Sequence, residues 1–269
     1  MSEWPELEHY RTQLSPLICG EKIIETSVND ESAINLSISD WKASLTLRTI
    51  LFLEHKGKQL LFHLDDGNRI VLQLITGEWL AYTPQDEQPK GKIAIRIQLS
   101  NGYTLYVGGI KSGYMHFTTA KEVIKQAKEL GPDPFAIHLT LDQFKRRLKG
   151  KKGRLKATLT DQRFLSGIGN VYSDEICFDA KLNPAVTIQE LDDAKLEQLY
   201  TSMRHVLSES AATGGLCEHP MHAEDTVTGS YRSQLKVAGR TDLPCVNCGQ
   251  PIKHETISGR KMFFCANCQ

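Results

Sequence analysis

Residues 159–175 read LTDQRFLSGIGNVYSDE, and this stretch decides how the second half of the chain is folded. It reads as a helix ending near Gly167, a tight Gly167-Ile168-Gly169-Asn170 turn, and a new helix starting at Val171. Glycine at 167 and 169 lets the backbone turn sharply and approach a ligand with no Cβ in the way. The amides that open the second helix, with the Asn170 side chain, make an anion site. A plain helix–helix turn would use the same residues. The upstream run tips the reading toward phosphate: Lys145 to Lys156 (KRRLKGKKGRLK) holds eight basic residues and no acid. Taken alone, that run also reads as a solvated helix face or a linker.

Downstream, four of the seven cysteines cluster as Cys245-x2-Cys248, sixteen intervening residues, then Cys265-x2-Cys268. Two such knuckles signal one tetrahedral, structural Zn2+ site, because each thiolate pair projects toward one point from a tight turn. Disulfides or a redox CxxC are the weaker reading, because the acidic start MSEWPE has no apolar h-region of a secretory signal. Between the knuckles, Thr256-Ile257-Ser258, Gly259-Arg260 and Met262-Phe263-Phe264 read as strand, turn, strand, with Arg260 at or beside the tip. Cys19, Cys177 and Cys217 read as buried or incidental thiols. Cys217-x-His219-x2-His222 reads as a polar loop in preference to a second metal cluster.

Upstream, residues 3–14 suit a short amphipathic helix with Glu3 and Glu6 in its first turn. From about Gly20 to Phe117 the texture is short strand-like runs: Ile34–Ile38, Ser44–Leu53, Gln59–Leu64, Ile70–Leu74, Lys92–Leu99 and Tyr103–Val107. Turn signals such as Asp65-Asp66-Gly67 and Asn101-Gly102 separate some of them, which points to an antiparallel sandwich or barrel. Thr118–Leu130 reads as a connecting helix, and Gly131-Pro132-Asp133-Pro134 breaks it. Helical periodicity then covers Leu141–Leu148, Lys156–Leu165, Val171–Ala180 and Asp192–Ser210. Gly214 to Ser230 reads as a long polar loop.

The whole chain has 269 residues, 32 basic and 32 acidic, and is 40% apolar. That composition is ordinary for a globular protein and excludes global disorder. The longest apolar runs, such as Ile50–Leu53, fall far short of the roughly 20 residues of a membrane span, so no membrane partner is expected. Zero net charge argues against strong non-specific polyanion binding. The charge is uneven, however: residues 1–130 hold 14 basic and 16 acidic side chains, and residues 131–269 hold 18 and 16.

These segments together resemble the formamidopyrimidine-DNA glycosylase / endonuclease VIII family of base excision repair enzymes, over nearly the whole length. MSEWPELEHYRTQL is similar to that family's M-P-E-L-P-E-V-E opening, LTDQRFLSGIGNVYSDE to its helix–two-turn–helix, and the hairpin ending GRKMFFCANCQ to its zinc finger. The resemblance implies an α+β fold with three parts. An N-terminal antiparallel β-sandwich with flanking helices spans 1–132, a helical domain with the helix–two-turn–helix spans 133–235, and a four-cysteine zinc finger spans 236–269. It implies damaged or abasic double-stranded DNA as partner, a monomer on that DNA, and a cytoplasmic or nucleoid location.

The resemblance also implies roles residue by residue. Ser2 stands where the family has its nucleophilic N-terminal proline. Removal of Met1 would expose a Ser2 α-amine, and primary amines form imines with sugar aldehydes. Glu3 matches the acid/base carboxylate, Glu6 its neighbour in the same opening, and Lys58 a lysine that reaches the phosphate beside the lesion. Lys156, Gly169, Asn170 and Arg260 match the phosphate-gripping region. The wedge that fills the gap left by a flipped base departs from the pattern. Ile75 takes the place of a methionine, and Ile110 and Ser112 replace an arginine and an aromatic residue. Gly214–Ser230 matches the lesion-capping loop in position.

Three readings stay open on the sequence. The first is a DNA glycosylase/AP lyase acting through the Ser2 amine. The second is a DNA-binding relative that recognises damaged, abasic or bent DNA without base excision. The third is a zinc-stapled module for RNA or protein.

Overall fold

The structure, a computed structural model, describes residues 2–257 and 259–269. Met1, whose removal the amine chemistry needs, and Ser258, in the expected hairpin, lie outside the described residues. The chain forms two compact units. The first holds residues up to Lys128 together with Ala211–Ser230, and the second Glu129–Ser210 with Tyr231–Gln269.

The first unit opens with helix α1 (Trp4–Ile18) and is built on eight strands. These are β1 (Ile23–Val28), β2 (Ile50–Lys56), β3 (Gln59–Leu64), β4 (Asn68–Gln73), β5 (Trp79–Pro84), β6 (Ile93–Leu99), β7 (Tyr103–Gly108) and β8 (Tyr114–Thr119). Two four-stranded antiparallel sheets result, ordered β1-β6-β7-β5 and β2-β3-β4-β8. Alternation explains β6: Ile95, Ile97 and Leu99 are buried while Arg96 and Gln98 stay half-buried. The inner faces meet α1 and α2 (Ile38–Leu45) in one core that includes Tyr10, Leu14, Trp41, Phe62, Ile97 and Met115. Burying each large apolar side chain there contributes about 1.5–3 kcal/mol.

Three local expectations change. Ile34–Ile38 is not a strand but the approach to α2, whose start is capped by Ser37 Oγ accepting from Asp40 N. Ser44–Leu53 divides into the end of α2, a left-handed Leu47 (φ 67°) and the start of β2. Strand β8 runs to Thr119, so the connecting helix α3 is shorter, Ala120–Ala127. Strands β1, β5 and β8 went unforeseen. Five consecutive residues of β5 are buried, so its sequence carries no alternation to find.

The second unit holds α4 (Leu141–Leu148), α5 (Leu155–Leu159), α6 (Asn170–Asp179), most of α7 (Asp193–Ala212), and the hairpin β9 (Lys253–Ile257) with β10 (Arg260–Phe264). Helix α4 buries Phe144 and Leu148, four residues apart on one face. The helix expected to end near Gly167 stops at Leu159. Thr160 Oγ1 turns back to donate to Lys156 O, and Asp161 Oδ1 accepts from Arg163 N. Residues 160–169 thus form the two turns between α5 and α6. Sandwich, helices and hairpin together make the α+β architecture expected from the sequence. No helix among the described residues is long and apolar enough to cross a membrane.

Candidate functional site

In the first unit the candidate chemistry sits at the start of α1. Pro5 lies in its first turn, where a missing N–H costs nothing. Glu3 and Glu6 close a reciprocal capping box, with Glu6 Oε2 accepting from Glu3 N at 2.8 Å. Both carboxylates are buried at 5% exposure. Ser2 N donates to Leu74 O at 2.9 Å, which ties the nitrogen expected to be the nucleophile to the end of β4.

Glu6 also holds the loop expected to cap a lesion. Its Oε1 accepts from Leu216 N at 2.9 Å, and a Cβ built on Gly215 (φ 61°) would fall 2.6 Å from that oxygen. Further along, His9 Nε2 meets Thr228 Oγ1 at 2.8 Å. Asp225 accepts from Met221 N, Val227 N and Thr228 N. Burial pushes the Asp225 carboxyl up, but these bonds outweigh it and hold it at about 2. Met221 reaches the core and His219 stacks on Trp79 with centroids 4.3 Å apart, so the stretch is more than a polar surface loop. Burial pushes the Cys217 thiol up to about 12, which makes it inert.

Lys58 occupies the Gly57-Lys58 turn between β2 and β3, where Gly57 takes φ 59°. Among the described residues no hydrogen bond or ion pair holds its half-exposed ammonium. Ile75 begins a turn closed by Glu78 N donating to Ile75 O at 3.0 Å, with Gly77 at φ 83°. Its side chain is half-buried. Ile110 is 8% exposed and belongs to the core, while Ser112 is exposed.

In the second unit, the expected anion site has no capping side chain. Gly169 is the N-cap of α6, and Asn170, its first residue, is exposed. Gln162 braces the turn before it: its Oε1 accepts from Gly167 N at 2.9 Å and its Nε2 donates to Ile168 O at 2.7 Å. Arg260 is exposed at the start of β10, just after Gly259 (φ 75°).

Lys156 differs from the phosphate contact expected of it. It is 1% exposed, and its Nζ donates to Asp174 Oδ2 at 2.7 Å, Asn170 O at 3.1 Å and Lys261 O at 2.6 Å. All three ammonium donors are therefore engaged inside the unit, where they join α5, α6 and β10. Burial pushes the Asp174 carboxyl up, to about 7, against the pull of Lys156. Other members of the basic run also have partners within the unit. Arg147 donates to Arg163 O and Phe164 O, Arg154 to Ala185 O, Lys145 pairs with Asp193, and Lys151 lies over the Phe164 ring. Arg146, Lys149, Lys152 and Arg154 are its exposed cations.

The four cysteine sulfurs lie within 4.8 Å of one another, with Cys245 to Cys268 at 3.9 Å and Cys248 to Cys265 at 3.4 Å. No disulfide links them. A tetrahedral ion with Zn–S near 2.3 Å spreads its sulfurs by roughly 3.8 Å, so the donor set fits one structural zinc. Cys245 and Cys265 pack with Phe178, Val237 and Ile252, which binds the metal knot to α6.

Sequence reasoning missed a set of side chains that hold backbone amides: the half-buried Gln162 and Asp225, and the buried Glu78 and Glu175. Glu175 accepts from Lys236, Val237 and Ala238 N, the strand of chain that leads into the hairpin. The available signal was a lone acid among residues otherwise destined for burial, as in Glu78-Trp79-Leu80.

A sandwich whose first helix opens on two buried carboxylates, with a helix–two-turn–helix and a four-thiolate hairpin after it, is the architecture of a class of DNA glycosylases. Three family models match in order. They are the formamidopyrimidine-DNA glycosylase N-terminal domain over residues 1–115, its H2TH domain over 130–219, and the zinc finger found in FPG and IleRS over 242–269. The chain is 30% identical to formamidopyrimidine-DNA glycosylase of Listeria monocytogenes, covering 100% of both, and 31% identical to that of Thermus thermophilus, covering 100% of this chain and 98% of the other. A solved complex of Lactococcus lactis Fpg with abasic-site DNA superposes with a TM-score of 0.88 at 26% identity, covering 100% and 99% of the two chains. The protein belongs to the formamidopyrimidine-DNA glycosylase / endonuclease VIII family, a family of enzymes.

Proposed function

We propose that this protein is a base excision repair glycosylase that removes damaged bases from double-stranded DNA and cleaves the resulting abasic strand, with the α-amine of Ser2 as nucleophile. The observation that carries the reading is the placement of Ser2 N on Leu74 O beside the buried Glu3–Glu6 pair. After Met1 is removed, that nitrogen is a primary α-amine, the lone pair of which is nucleophilic once it is unprotonated. It attacks C1′; the base departs with a proton, and the ring oxygen, protonated by Glu3, opens to leave an imine. Loss of a C2′ proton then expels the 3′ phosphate, and water hydrolyses the imine and frees the amine. Lys58 of the first unit and, separately, Gly169, Asn170 and Arg260 of the second hold DNA phosphates, and Ile75 enters the stack. Lys156 serves this grip by fixing Asn170 and β10 from within.

One observation favours a second reading, a binder of damaged DNA with weakened excision. Ile110 is committed to the core and Ser112 is small, so Ile75 has no second wedge beside it. The test is to incubate the mature protein with a duplex carrying an abasic site and add borohydride. A covalent adduct with strand cleavage supports the enzyme; binding with neither supports the second reading.

A further inference from the structure

The same departure that removes the second wedge exposes a device that the reaction scheme leaves unused. Glu78 is a buried carboxylate, 6% exposed, lying between two loops of the first unit. Its Oε2 accepts from Ile75 N at 2.7 Å. Its Oε1 accepts from three consecutive amides, Lys111 N at 2.7 Å, Ser112 N at 3.0 Å and Gly113 N at 2.8 Å. Burial pushes this carboxyl up, and the four N–H donors outweigh it and hold it below its usual range. The surrounding residues are small where they must be. A Cβ on Gly113 would fall 1.9 Å from Glu78 Oε2, one on Gly109 2.6 Å from Gly77 O, and one on Gly108 2.0 Å from the Trp79 ring.

We infer that Glu78 is a positioning residue that clamps the Ile75 turn to the Lys111–Gly113 loop, so that a single aliphatic wedge meets DNA at a fixed height. The inference rests on the proposed role of Ile75. A lone wedge on a mobile turn would lose insertion energy to ordering the turn, since fixing each backbone residue costs conformational entropy. Four charge-assisted bonds to one carboxylate remove that cost before DNA arrives. The family pattern fills the gap with several side chains; here Ile110 anchors its loop in the core, and Glu78 ties that loop to the one residue left to insert.

The test uses a duplex with a tetrahydrofuran abasic analogue and 2-aminopurine beside it, so that wedge insertion unstacks the probe and raises its fluorescence. Wild type raises the signal, and I75A and E78A each abolish most of it. E78A weakens abasic-duplex binding on the order of tenfold, with intact-duplex affinity within about twofold. The I75A/E78A double variant is no weaker than I75A alone, because Glu78 acts through Ile75. Amide exchange at Ile75 and 111–113 quickens in E78A, and also in the isosteric E78Q and in G113A, which serve if E78A does not fold. Unchanged amide protection in these variants, or effects of E78A and I75A that multiply, would overturn the clamp. A wild-type protein that shows no preference for the abasic duplex sinks the proposed function instead, and the exchange measurement still decides the clamp.

Discussion

Two loops of this molecule are held the same way and supported differently. In the second unit Glu175 accepts three consecutive N–H groups of residues 236–238, and in the first unit Glu78 accepts three from 111–113. Behind Glu175 stand a zinc knot and the buried Lys156–Asp174 pair, which tie α5, α6 and β10 together. Behind Glu78 a tryptophan ring packs against glycines, and Glu78 N closes the turn onto Ile75 O. In the second unit Asn170 and Arg260 are both exposed, at the starts of α6 and β10. In the proposed scheme the first unit acts through Ser2 and Ile75, and Glu3, Glu6 and Glu78 are the buried carboxylates nearest them in sequence.

The contrast breaks most visibly if the metal goes. Zinc contributes about 10–16 kcal/mol to folding in zinc-finger peptides. Chelation is therefore expected to unfold β9–β10 and abolish DNA binding while amide resonances of the sandwich persist. Loss of the sandwich signals would show that the two units are not independently supported. Next in size is Lys156→Met, which strands Asp174 in the interior and is expected to cost about 3–5 kcal/mol of stability by denaturant melts. Replacing both partners with apolar residues should restore most of that, and a phosphate-contact role would instead leave stability unchanged.

Smaller effects sharpen the comparison. Arg260→Ala and Lys58→Ala should each lower the salt slope of abasic-duplex binding by roughly 0.9, one phosphate apiece. Only Lys58→Ala should also slow strand cleavage on bound DNA, because Lys58 stands in the unit that holds the proposed nucleophile. The smallest effect is pH-dependent. Asp225 sits at about 2, below its ordinary range, so its contribution to holding the 211–230 segment is present above about pH 4 and lost as pH falls toward 2. The melting-temperature gap between wild type and Asp225→Asn should be constant near neutrality and close across that acid window.

The sequence disclosed most of the second unit and half of the first. Gly167, Gly169, the cysteine knuckles and the helix periods carry local signals, because their conformations are set by neighbours a few residues away. What escaped was non-local. Strand β5 is buried along five consecutive residues and shows no alternation. Lys156 reads as one more cation in a basic run, and its burial depends on Asp174 and on Lys261, 105 positions away. Of the candidate site, the Ser2, Glu3 and Glu6 cluster was legible from the opening residues. Its link to Leu216 and the clamp at Glu78 were not, since a carboxylate's partners here are backbone amides, which every residue but proline offers alike.

The most direct measurement is peptide mapping of the borohydride-reduced complex between the mature protein and an abasic duplex. Attachment of the sugar at the α-nitrogen of Ser2, with Ser2 as the first residue of the modified peptide, is the expected result. Attachment at a lysine such as Lys58, or no adduct from protein that binds the same duplex, would contradict it.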